Sequence, residues 1–285
     1  MPRCSVIFVA LAMALAVPAS AGELPEGALP DALISPGKHN LKSAWLARPT
    51  TRYGHGILGD AIEAGSLVAV TSCGHKMEFV LDETLVFEDR QARIVDLEGD
   101  YYAEIVVVEA SLDHGAALAV YGPAGATCSA NGGLKRIART PFIGTPNRWL
   151  NPAGIADYDG DGAKEIAIVV TPHIGGTLQF WSLQDGKLVL KAKKYGFSNH
   201  AIGSREQDLS VTVSREEGDL LFVPDVARST LMRVELKDGA IESTPVAELP
   251  SQAAGTITAK VAEDGAITLA VPTEKHGVVE LKSTL

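Results

Sequence analysis

Asp157, Asp159 and Asp161 alternate along the stretch Asp157-Tyr158-Asp159-Gly160-Asp161-Gly162-Ala163-Lys164-Glu165, and Glu165 leads straight into the apolar run Ile166 to Val170. Ca²⁺ is a hard cation that takes roughly six to eight oxygen ligands. Counting Asp157 as loop position 1, carboxylates stand at positions 1, 3, 5 and 9, and the Ala163 carbonyl stands at position 7. That set can wrap one ion, with Gly160 and Gly162 allowing the tight turn. An EF-hand would carry a bidentate glutamate at position 12, where this chain has Ile168, and would lie between helices. Here a strand follows, so the loop is expected to join two strands.

Stepping outward from the loop, the segment from Arg93 to Gly122 superposes on that from Gly154 to Leu183. Asp96 meets Asp157, Glu98 meets Asp159, Asp100 meets Asp161 and Glu104 meets Glu165, which makes Asp96, Glu98, Asp100 and Glu104 a candidate second Ca²⁺ loop. Three further units, 56–81, 209–236 and 256–281, follow the same order of short apolar runs broken by Gly, Pro and Asp. Runs of four to six residues rich in Val, Ile and Leu are strand signals, and after the N-terminal segment no stretch holds a helical period. The fold class is therefore all-β. Five units of three to four strands are expected to form a β-propeller of five blades. The last unit runs out after three strands, so Ser43 to Tyr53 is expected to supply its missing strand and close the ring. Two packed sheets are the structural alternative. Residues 22–42, rich in Pro and Gly, are expected to be an irregular lead-in to a single domain over 43–285.

Superposing the units also aligns histidines. His75, His114, His173 and His276 fall in the turn after the second strand of their units, and His55 and His200 fall just before a first strand. In an up-and-down blade these connections share one face, opposite the carboxylate loops. Converging imidazoles are transition-metal ligands, so this face is a candidate metal or ligand site. The plainer reading is that exposed turns favour polar residues. Trp149, Tyr53, Asn151 and Asn199 lie near the same rim. Catalytic signatures are thin: there is no Gly-x-Ser-x-Gly elbow, no Gly-rich phosphate loop and no His-Glu-x-x-His.

The Asp-x-Asp-Gly-Asp-Gly-x-x-Glu loop followed by Ile-Ala-Ile-Val-Val resembles the FG-GAP and VCBS repeat family, the blade motif also found in integrin α-subunit propellers. The clear match covers 154–183, a degraded copy covers 93–122, and the other units match in strand pattern. The resemblance implies a blade loop that holds Ca²⁺ as a structural clip, and it implies no particular activity. The copy departs from the pattern at Glu98, where Asp is usual, and at Tyr101, where Gly would make the turn.

Compartment follows from the termini and cysteines. In this 285-residue chain, residues 1–21 read as a secretory signal, with Arg3, an apolar run from Val6 to Val17 and a small-residue Ala19-Ser20-Ala21 site. That run is too short to span a bilayer, and no other membrane segment follows it. Cleavage near Ala21 would leave Cys73 and Cys128, which in an oxidising periplasmic or secreted setting are expected to pair, two buried thiols being the alternative. The net charge of −10 becomes one unit more negative with the loss of Arg3 and argues against a nucleic-acid partner. The short basic clusters Lys135-Arg136 with Arg139, and Lys191 to Lys194, read as solvated strand faces. The favoured function is a non-enzymatic, exported Ca²⁺-binding propeller that presents a loop face to a protein or glycan. The alternative is a transition-metal protein or metal-dependent enzyme working at the histidine face.

Overall fold

The computed structural model describes residues 24–129 and 132–284; the expected signal segment lies outside them. The described residues form twenty strands and no helix. β1 is Ser35–Pro36, β2 Leu41–Thr50, β3 Glu63–Thr71, β4 Lys76–Val80 and β5 Leu85–Phe87. β6 is Arg93–Val95, β7 Glu104–Ser111, β8 Gly115–Ala124 and β9 Gly133–Arg139. β10 (Leu150–Ala156), β11 (Glu165–Val170), β12 (Thr177–Gln184) and β13 (Lys187–Tyr195) make one four-stranded antiparallel sheet. β14 (Val211–Val213), β15 (Leu220–Pro224), β16 (Thr230–Lys237) and β17 (Ala240–Glu248) make the next. β18 (Thr258–Val261), β19 (Ala266–Thr273) and β20 (Gly277–Thr284) make a last, three-stranded sheet.

The first two expected units are fused. β3 pairs with β2 along one edge, while its other edge is divided between β4 and, at Ala64, β5. β5 then pairs along Leu85 to Phe87 with Glu109 to Ser111 of β7, whose remaining length on that edge is taken by β6. The three-residue β5 thereby welds nine strands into one sheet. The segment expected to close the last unit is instead β2, held between β1 and β3. Closure by that segment is not what the chain does, because its apolar residues Ala44 and Leu46 are already buried in the first sheet's own core. The lead-in is also more ordered than its composition suggests: Leu29 donates its amide to Leu46 O at 2.9 Å, and Leu29 and Ala32 are buried.

Alternation along the central strands explains how the sheets stack. Ile105 and Val107 of β7 enter one apolar layer, and Val106 and Val108 enter the next. Ile166 and Ile168 of β11 join that second layer, while Ala167 and Val169 face a third. Leu221 and Val223 of β15 complete the third, and Leu220 and Phe222 build a fourth with Ile267, Leu269 and Val271 of β19. Because successive side chains of a strand point to opposite faces, strands that are apolar at every position are those sandwiched between two layers. First strands lie beside first strands, β10 next to β14 and β14 next to β18, and outer strands β9, β13, β17 and β20 do likewise. Each of three units also has a β-bulge between its third and fourth strands, with Ile137, Lys191 and Val246 as the extra residues. A bulge bends and twists its strand, and its repetition at one place marks these units as copies of one element.

No helix among the described residues is long and apolar enough to cross a membrane. Cys73 and Cys128 are paired, with Cα atoms 5.7 Å apart, and tie the turn before β4 to the insert before β9.

Candidate functional site

The loop from Asp157 to Glu165 leaves β10 and returns as β11. Asp157 organises it: Oδ1 accepts the Gly160 amide at 2.8 Å and Oδ2 the Gly162 amide at 3.0 Å. Both glycines have positive φ, 75° and 92°, which an L side chain adopts only with strain. Glu165 opens β11 fully buried; its Oε2 accepts the Tyr158 amide at 3.0 Å and its Oε1 has no partner. Asp157, Asp159 and Glu165 each bring a carboxylate oxygen within 4.8 Å of the others, the one such group of His, Cys, Asp or Glu among the described residues. Asp161 is not part of it: its Oδ1 accepts the Ala163 amide at 2.9 Å and its side chain is half exposed. Burial, reinforced by Asp159, pushes the Glu165 carboxyl up to about 7. An all-oxygen donor set with a buried oxygen left unpaired fits a hard divalent cation.

The copy from Asp96 to Glu104 repeats the scaffold. Asp96 Oδ1 accepts the Gly99 amide at 2.8 Å, its Oδ2 accepts the Tyr101 amide at 3.0 Å, and Glu104 Oε2 accepts the Leu97 amide at 3.0 Å. Tyr101 takes the Gly162 position at φ 65°, so the turn forms without glycine. The carboxylates of Asp96, Glu98, Asp100 and Glu104 do not gather as those of the second loop do. The loops of successive units touch: the Lys164 amide donates to Leu97 O at 2.8 Å, and the Asp219 amide to Asp157 O at 2.7 Å.

Residues in the basic clusters have partners. Lys191, the bulge residue of β13, brings Nζ to 2.8 Å from Asp159 Oδ2 and 3.6 Å from Asp161 Oδ2. Arg136 Nε and Arg139 Nη1 lie 2.6 and 3.0 Å from the carboxylate of Glu109, which is fully buried. These are ion pairs rather than solvated faces, and for Lys191 the cause is the bulge, which turns it out of the strand register.

The histidines divide into two sets. His75, His114 and His276 sit apart: His75 in the turn beside the disulfide, His114 facing Phe142 with ring centroids 6.4 Å apart, and His276 Nδ1 3.1 Å from Ser251 Oγ. His55, His173 and His200 cluster around Trp149. His200 Nε2 lies 2.9 Å from Ser204 O, a pure acceptor, so Nε2 carries the hydrogen and Nδ1 is the lone pair. His173 Nε2, 2.9 Å from that Nδ1, must then donate, which leaves His173 Nδ1 as an acceptor. Both imidazoles are pushed down to about 4, chiefly by burial, and stay neutral at pH 7. His55 Nδ1 meets Glu88 Oε1 at 2.5 Å; Glu88 is fully buried, its other oxygen has no partner, and burial raises its carboxyl well above the usual range. Trp149 donates Nε1–H to Glu88 O at 2.9 Å, and Tyr53 OH accepts the Asn147 amide at 3.2 Å. Asn151 and Asn199 exchange bonds within the core, Asn151 Nδ2 to Asn199 O at 3.1 Å and Asn199 Nδ2 to Asn151 O at 3.2 Å, so they brace the rim rather than line it.

His55 and His173, with Trp149, Arg148, Ile57, Ile174 and neighbours, line a cavity of about 240 Å³. Glu88 and Arg148 are the residues that sequence reasoning missed there; both act across chain distances that carry no local signal. The carboxylate loop and this cavity lie at opposite ends of β11. No family model matches the chain, and a search of curated proteins finds no match.

Proposed function

We propose that the chain is an exported, calcium-stabilised β-propeller of the FG-GAP and VCBS type, with five blades, that serves as a non-enzymatic binding module for a protein or glycan. The observation that carries this reading is Glu165 Oε1, fully buried and unpaired beside the Asp157 and Asp159 carboxylates. Lys191 offsets part of the negative charge of these carboxylates, and bound Ca²⁺ supplies the remainder. Asp157 and Glu165 position the loop through backbone amides, and Asp159 completes the donor face. The repeated bulges, the stacked layers and the loop-to-loop bonds support a blade arrangement, and the paired cysteines support export to an oxidising compartment. The test is calorimetric titration of metal-stripped protein with Ca²⁺, with melting followed with and without EGTA. Saturable binding that raises Tm, lost in Asp157→Asn with Asp159→Asn, is the expected result; no binding by the folded protein overturns the clip.

A further inference from the structure

Among the described residues every arginine but one is within ion-pairing distance of a carboxylate. The exception is Arg148, whose Nη1 donates to Asn147 O at 3.0 Å. It is half-buried on the wall of the 240 Å³ cavity. Of the other walls, Ile57, Trp149, Ile174 and Ile202 are apolar, the His173 imidazole is neutral, and burial holds His55 below its ordinary range. His55 is held below its ordinary range by burial and then by Arg148 itself. At the mouth, Ile174 and Ile202 are 61% and 72% exposed, more than any other isoleucine among the described residues.

From the unpaired Arg148 and the apolar walls facing it, we propose that this cavity binds a small organic acid, its carboxylate on the Arg148 guanidinium and its apolar body against Ile57, Ile174 and Ile202. A guanidinium presents paired N–H donors that match a carboxylate bidentately, and shielding by apolar walls strengthens that pair. The cavity is smaller than the roughly 300–1,000 Å³ common for drug-sized ligands, so the acid is small. His55 is a positioning residue: the Glu88 carboxyl fixes its Nδ1 and leaves Nε2 as its free ring nitrogen. His173 Nδ1, the acceptor left over from the His173 to His200 pair, can take a hydroxyl or N–H on the ligand. The inference does not rest on the calcium reading, since the two sites are separated by the length of β11.

The test is calorimetric titration of the disulfide-bonded protein with hexanoate and benzoate, against hexanamide and benzamide as neutral isosteres. The acids are expected to bind with Kd of about 1 mM or below and the amides at least about tenfold more weakly. Arg148→Met, which keeps the apolar stem, is expected to lose the preference for acids, and Ile202→Ser to weaken acids and amides alike. In NMR spectra, hexanoate is expected to shift the Trp149 indole and Ile174 signals and leave the Asp157 to Glu165 loop unmoved. Equal binding of acid and amide, retention of the preference by Arg148→Met, or no saturable binding by the folded wild type overturns the proposal. Each of these outcomes leaves the Ca²⁺ titration unaffected, so the two readings fail separately.

Discussion

Lys191 Nζ stands 2.8 Å from Asp159 Oδ2, so the carboxylate loop carries a cation of the protein's own. An ammonium on a bulged strand can swing away, whereas the buried Glu165 cannot. Lys191→Met is therefore expected to tighten Ca²⁺ binding by up to about fivefold, the equivalent of a surface ion pair of about 1 kcal/mol. The same change is expected to lower the Tm of the metal-stripped protein, because three carboxylates would face one another uncompensated. A Ca²⁺ affinity that falls in Lys191→Met would sink this account.

Gly176, at φ 40°, packs against the Phe197 carbonyl so closely that any Cβ would overlap it. It also accepts the amides of Gly196 and Phe197, which fastens the turn after β11 to the chain leaving β13. Gly176→Ala is expected to destabilise the protein by about 2–4 kcal/mol, read as a drop in the urea midpoint at constant slope. The turn carries His173, so the NMR signature of the His173 to His200 hydrogen bond should be disturbed in the same variant.

Glu63 is buried at the start of β3 and its carboxyl is pushed up to about 9, first by burial and then by Glu88. The folded protein therefore keeps a proton that the unfolded chain loses near pH 4.5. The corresponding stability is fully present below that pH and is lost as pH rises through 9, at up to about 1.4 kcal/mol per pH unit in between. Glu63→Gln, which cannot ionise, is expected to flatten the alkaline fall in stability. Parallel stability curves for the two proteins from pH 6 to 9 would rule out this assignment.

What was legible in the chain was what repeats or alternates. β11, β15 and β19 are near-continuous apolar runs because layers cover both or one of their faces, and the loop at 157–165 announces itself by residue type. β17 was missed: Ala240–Glu248 mixes Ile241 with Glu, Ser, Thr and Pro because it is an outer strand with little to bury. The weld made by β5 depends on a three-residue pairing whose partner is over twenty positions away, and no local pattern encodes it. At the sites, spacing placed Asp157, Asp159, Asp161 and Glu165 on one loop, but alternation does not say that Asp157, Asp159 and Glu165 gather while Asp161 turns outward. The histidine alignment was half informative. His55, His173 and His200 converge, but Glu88, which fixes His55 from 33 residues away, and Arg148, which gives the cavity its charge, are meaningful only once the sheets are stacked.

The four shared apolar layers couple each unit to its neighbours in sequence. Each inner sheet is gripped from both sides, but among the described residues the alternate face of β19, with Ala266, Thr268, Ala270 and Pro272, joins no apolar cluster, so the seam between the last unit and the first is the weak one. Cooperativity should therefore be graded along the sequence. Amide exchange should report fraying that starts at the C-terminal sheet and advances inward, and the fused, disulfide-tied first sheet should be the last to let go.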